Sequence, residues 1–246
     1  MPAPDRVASG HRRYAERDVG LVQEVLRQRG SGLSMPVAVD RARHHLGRLE
    51  TSLFAGVRRR HPSLRVQVLD RPVLVALSRA MEDECCAEAD DALLFGSFQR
   101  TRYYAPSRSR WAVLARSARS AVVFADFGSA PAPPADGTPR EIPVPAGAPL
   151  NREWVLVCDS AERPACLVGW ERPGGEGQRL FETFWSLDPA VVRDAARLCA
   201  RLSEHYRPES RFPGWADLAG SPMAASSQTL RASAVLDRML GYLPTV

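Results

Sequence analysis

Lysine is missing altogether: all 33 basic side chains among the 246 residues are arginine. So uniform a choice reflects a GC-rich coding bias, and arginine at any one position therefore carries little information. An apolar run of the roughly 20 residues needed to span a bilayer is also missing. The opening Met-Pro-Ala-Pro-Asp-Arg has no apolar stretch of a secretory leader. A cytoplasmic protein with no membrane partner is expected. The five cysteines are too few and too scattered for a disulfide framework. Cys85 and Cys86 are adjacent, and Cys158, Cys166 and Cys199 stand apart, without Cys-x-x-Cys or Cys/His metal spacing. No metal is expected. Buried free thiols are the main reading, with a redox-sensing pair at Cys85–Cys86 as the other.

Enzymatic chemistry is equally thin. His11, His44, His45, His61 and His205 form no His-x-x-x-His pair and flank no nucleophile elbow. No glycine-rich phosphate loop follows a strand. Gly174, Gly175 and Gly177 are read as a surface turn. The acidic run Glu82, Asp83, Glu84, Glu88, Asp90 and Asp91 is read as a solvated helix end in preference to a cation site. The expectation is a protein that is not an enzyme and needs no cofactor.

What is present is an uneven charge. Residues 1–60 hold 12 arginines against 6 acids, a net of +6, whereas residues 61–246 hold 21 against 22. The whole positive excess sits at one end. That suits a polyanion such as DNA, or simply a solubilising segment.

Periodicity divides the chain further. Val19, Val22, Val25 and Leu26 mark a helix stopped by Gly30 and Gly32. A second helix is capped by Ser34 and carries Met35, Val39, Ala42, Leu46, Leu49 and Leu53 at alternating spacings of four and three. It is either a dimerisation helix, making the protein a homodimer, or an ordinary amphipathic helix. After Pro62, strands are predicted at 64–69, 92–98, 121–127, 154–158, 165–170 and 180–187, with helices at 72–84 and 111–116 and another opened by Asp188-Pro189. Residues 128–149, rich in Pro, Ala and Gly, read as irregular, as do 207–229, and 230–243 reads as an amphipathic helix. The fold class is α/β (mixed α+β): a short helical N-terminal part, then a mixed sheet of five or six strands with flanking helices. The expected divisions are 1–52, 53–206 and 207–246.

The run from Pro4 to Val19, with Gly10, His11, Arg12, Arg13 and Tyr14 in order, resembles the wing and following helix of the mercury-resistance-regulator (MerR) family. Gly30 to Met35 resembles that family's turn into its next helix. The resemblance implies a DNA-contacting head in which Arg6, His11, Arg12, Arg13, Tyr14 and Arg17 meet the phosphate backbone, contacts that fix register but carry little sequence information. Only Met1, Pro2 and Ala3 precede the wing. The base-reading helix is therefore expected to be missing, and DNA contact weak, salt-sensitive and indifferent to sequence.

Residues 53–206 resemble the DICT sensory domain. The likeness rests on Leu94-Phe95-Gly96-Ser97-Phe98, the 111–116 helix, the strand 121–127 and the 154–170 hairpin closing on a long helix. It implies signal reception without a fixed ligand, whether small molecule or protein. The chain lacks the Asp-x-His-x-x-Gly motif of cobalamin-binding sensors. Arg100, Arg102, Tyr103, Tyr104 and Trp111 are the candidate ligand-binding residues, because they follow a strand where open α/β sheets form their crevice. Two readings compete: a signal-responsive transcription regulator, and an interaction module derived from one that binds no DNA.

Overall fold

The computed structural model describes residues 51–128, 136–173, 179–209 and 211–241, and within the first fifty only 5–6, 12–13, 25–26, 29–30 and 35. Two compact units divide at residue 50/51. In the first, Asp5–Arg6 and Arg12–Arg13 form a short antiparallel pair, Asp5 opposite Arg13 and Arg6 opposite Arg12. Val25, Leu26, Arg29, Gly30 and Met35 are helical. Gly30 is helical, and Gly32, the other residue of the expected stop, lies outside the described residues. Most of the expected seam, from Val39 to Leu49, lies outside the described residues, as does the turn at Gly174, Gly175 and Gly177.

The seam does not run on through Leu53. Ser52 is extended, and its hydroxyl accepts from the Ala55 amide at 3.1 Å, starting a new helix, α1 (Leu53–Arg60). Then come β1 (Gln67–Asp70), α2 (Arg71–Met81), β2 (Leu93–Arg100), α3 (Thr101–Tyr104), α4 (Arg108–Ser117), β3 (Ser120–Asp126), β4 (Arg140–Pro143), β5 (Glu153–Asp159), β6 (Ala165–Glu171), β7 (Leu180–Ser186), α5 (Pro189–Tyr206), α6 (Trp215–Ala219) and α7 (Ser227–Gly241). Asp70 and Asp188 cap α2 and α5 by accepting from Val73 and Ala190, each at 2.9 Å, with Pro72 and Pro189 in the first turns.

The sheet has seven strands, in the order β1-β7-β6-β5-β2-β3-β4. The strand absent from the sequence reading is β4, inside the segment taken as irregular. Four residues ending in proline give no periodic signal. An edge position next to β3 tolerates the amide that Pro143 lacks. Parallel pairing is confined to β2-β3 and β3-β4. The first strand crosses to the far edge and pairs antiparallel with β7.

Both faces of the sheet are covered, and alternate residues point to opposite cores. Phe95, Val122, Val155, Val168 and Phe184 pack with α1 and α5; Leu94, Val123, Leu156 and Leu167 pack with α2 and α4. Four cysteines are buried, Cys85 is half-buried, and all five are free thiols. Burial pushes Cys166 up to about 12. The segment after α5 packs on the same unit: Phe212 is in the core, and its amide and the Trp215 indole both donate to Glu204, at 3.0 and 2.5 Å. Arg193 and Arg197 close α6 by donating to carbonyls at residues 217–220.

Among the described residues, one charged side chain is fully enclosed. Glu153, at the start of β5, accepts from the Ser52 hydroxyl at 2.5 Å and from the Leu53 and Phe54 amides at 2.9 and 3.3 Å. It therefore answers the orphan donors of the first turn of α1. Desolvation pushes its carboxyl up to about 7, against the pull of those three donors. A carboxyl with a raised folded pKa stabilises most below its unfolded value, and that contribution is lost as pH climbs towards the folded value. From pH 4.5 to 8, denaturant titrations should show the wild type losing on the order of 3 kcal/mol more than Glu153→Gln. Parallel pH profiles for the two proteins would refute this.

Candidate functional site

The cavity that draws together polar and aromatic groups lies at the carboxyl end of β2, on the face covered by α2 and α4. It opens where the strand changes character. After Leu93-Leu94-Phe95 the sequence turns to Gly96-Ser97-Phe98-Gln99, and the β2–β3 register shifts between Ser97 and Arg100. Gln99 takes a φ of 62°. That left-handed conformation costs a non-glycine residue about 1 kcal/mol or more and persists only where neighbours hold it. The side chain is buried and held at both ends: its amide donates to Glu171 at 3.4 Å, and its carbonyl accepts from Arg179.

Arg179 grips Glu171 through two nitrogens at 2.6 and 2.8 Å, and its guanidinium lies 5.1 Å from the Tyr103 ring and 5.3 Å from that of Phe181. Two further guanidiniums meet Tyr103. Arg102 stands 4.8 Å from the ring centre and donates to the hydroxyl at 2.9 Å, and Arg71 stands 5.9 Å away. Burial raises the Tyr103 phenol. The Arg102 hydrogen bond and the charges of Arg179, Arg102 and Arg100 outweigh it and leave the pKa below its ordinary value. The cavity mouth is electropositive.

The opposite wall is aromatic. Trp111 is buried and meets Phe98 edge-on at 5.6 Å, and Trp154 closes the side formed by β5. Both indole N–H groups are already engaged, Trp111 with Glu82 at 3.2 Å and Trp154 with Ser78 at 2.8 Å. The indoles therefore offer rings to the cavity rather than donors. Glu82 departs from the expected solvated cluster. It is buried, and it accepts from Arg110 at 2.5 Å, with Asp83 taking a second Arg110 nitrogen at 2.5 Å. The reason is local: α2 runs on into a wider turn, Glu82–Cys86, where the Ala87 amide reaches the Glu82 carbonyl five residues back, rotating Glu82 inward.

Of the sequence candidates, Arg102, Tyr103 and Trp111 line the cavity together. Arg100 is exposed at the end of β2 and contributes only its field. Tyr104 is enclosed in the core against Phe98 and Phe127, and burial pushes its phenol up to about 12. Sequence reasoning did not single out Arg71, Arg79, Gln99, Arg110 or Arg179. They come from α2, β2, α4 and the start of β7, and no local spacing links them. Among the DNA-contact candidates, Arg6, Arg12 and Arg13 are in the short antiparallel pair, while His11, Tyr14 and Arg17 lie outside the described residues. Among the described residues no group of His, Cys, Asp and Glu is placed to hold a metal ion, and no helix is long and apolar enough to cross a membrane.

Residues 51–172 match the family model of DICT, the sensory domain in diguanylate cyclases and two-component systems. No curated protein and no solved structure gives a significant match. The chain carries a DICT sensory domain, which gives it a sensory role in signalling, and all but one of the residues lining the cavity fall within the matched span.

The close approach of α4 to the sheet depends on Gly96. A Cβ there would stand 2.5 Å from Trp111 Cη2 and 2.6 Å from Cζ2. Gly96→Ala should lower stability by about 1–3 kcal/mol in urea titrations, because an enclosed indole must leave its place. An unchanged midpoint would mean that α4 does not need this approach.

Proposed function

We propose that the chain is a transcription regulator in which the DICT domain receives a signal and controls DNA contact by a MerR-type head, with no catalytic step of its own. One observation carries the reading. Arg6, Arg12 and Arg13 share a short antiparallel pair in the basic part of the chain, as the resemblance to a wing requires. A wing of this kind lays guanidiniums along the phosphate backbone. The partners are then DNA and a second copy of the chain, the latter through the helix carrying Met35, and the compartment is the cytoplasm. The means of control is at hand in the sensory domain. Glu153, which holds the first turn of α1, directly precedes Trp154, which with Leu156 lines the cavity on β5.

A second reading has its own observation. Leu230, Leu236 and Met239 on α7 are 49%, 42% and 58% exposed. An interaction module with no DNA function would use these exposed apolar side chains to hold a partner protein.

Mobility-shift titrations across a salt series separate the two. The regulator reading expects weak binding to any duplex. The slope of log affinity against log salt should become shallower by about 0.9 for each phosphate contact removed in Arg12→Gln and Arg13→Gln. Slopes unchanged in the double variant, or no binding at low salt, would sink it.

A further inference from the structure

We propose that the cavity at the end of β2 receives a small aromatic anion: a single flat ring bearing a carboxylate or phosphate group. The inference rests on the sensory reading of the domain and names the chemistry of the signal.

Charge decides the sign of the ligand. Five arginines line the cavity, at positions 71, 79, 102, 110 and 179, against one carboxylate, Glu82. Arg110 is answered by Glu82 and Asp83, and Arg179 by Glu171. Among the described residues, no carboxylate pairs with Arg71, Arg79 or Arg102. Two of these, Arg71 and Arg102, are ordered against the ring of Tyr103. Guanidiniums held in place by a ring lose little freedom when they take an anion, and they match the planar fork of a carboxylate or phosphate. A cation or a basic peptide would meet repulsion here.

The walls decide the rest of the molecule. With both indole N–H groups engaged, Trp111 and Trp154 present apolar rings beside Phe98. They have little to offer a flexible polar chain and suit a flat unsaturated body. The cavity volume is about 190 Å³. A ring-sized cavity of roughly 150 Å³ is known to accept benzene, so the space here fits one ring and its acid group and excludes a dinucleotide. The buried Gln99 amide, engaged with Glu171 and Arg179, fixes the wall beside the Arg179 guanidinium.

The test is calorimetric titration of the full chain with benzoate and phenyl phosphate, each compared with the neutral ring benzamide and the ringless anions acetate and inorganic phosphate. At least one of the two aromatic anions should bind about tenfold or more tightly than the neutral ring and its own ringless counterpart. Arg71→Gln and Arg102→Gln, both at exposed positions, should each weaken it about tenfold while leaving the circular dichroism spectrum unchanged. Benzamide binding as tightly as benzoate would overturn the anionic class and leave an apolar site. Acetate or phosphate binding as tightly as its aromatic partner would overturn the ring. No saturable binding by either aromatic anion at millimolar concentration overturns the inference outright. An aromatic anion that binds as expected, yet leaves DNA affinity untouched, sinks the regulator reading and leaves this one standing.

Discussion

A carboxylate with no access to water holds the beginning of the sensory domain. Glu153 accepts three donors from Ser52, Leu53 and Phe54, where the chain passes from extended backbone into α1. A helix N-terminus buried against a sheet must find acceptors for its amides, or each one costs about 1–3 kcal/mol. The usual remedy is a cap from the preceding residue, and Ser52 supplies one. The additional acceptor comes from 100 residues further along the chain. It ties the first element of the domain to the centre of the sheet. The position of α1 therefore depends on β5, and the rest of the core facing α5 is built around that attachment.

The same two-sided burial explains where the site lies. Strands covered on both faces must be apolar throughout, and β3 shows this with Ala121-Val122-Val123-Phe124-Ala125 enclosed end to end. On β2 polar residues enter where the strand leaves the cover. The apolar run ends at Phe95, and the register with β3 shifts between Ser97 and Arg100. Glycine at 96 admits the Trp111 indole, and Gln99 turns back into the space. The cavity is thus the consequence of a helix and a strand parting at the sheet's end, beside the step where neighbours change from parallel to antiparallel.

Much of this architecture is legible in the sequence because two-sided burial writes itself as apolar runs. All six expected strands exist, and the helix opened by Asp188-Pro189 begins where its cap predicts. The missing strand, Arg140–Pro143, is short and at the edge, and its proline hides it. The heptad rhythm misled only in its last member, because Leu53 keeps the spacing while Ser52 breaks the backbone. At the site, Arg102, Tyr103 and Trp111 could be found by their place after a strand. Arg71, Arg79 and Arg179 could not. In a chain whose every base is arginine, none of them differs from the surface arginines until the fold brings them to one cavity. Glu82 was hidden for the complementary reason, since six neighbouring acids look alike and only a wider helical turn sets one apart.

Alternation along a strand gives the arrangement its functional sense. Glu153 points to the α1 side of the sheet, and Trp154, the next residue, to the cavity side. Successive side chains on a strand share one backbone, so a shift that re-seats Trp154 also moves the carboxylate gripping Leu53 and Phe54. Close-packed interiors transmit such displacements rather than absorb them. β5 is hydrogen-bonded on both sides, to β2 and to β6, so it responds as part of the sheet. The strand therefore offers the short physical connection between the cavity and the point where the domain's first helix begins.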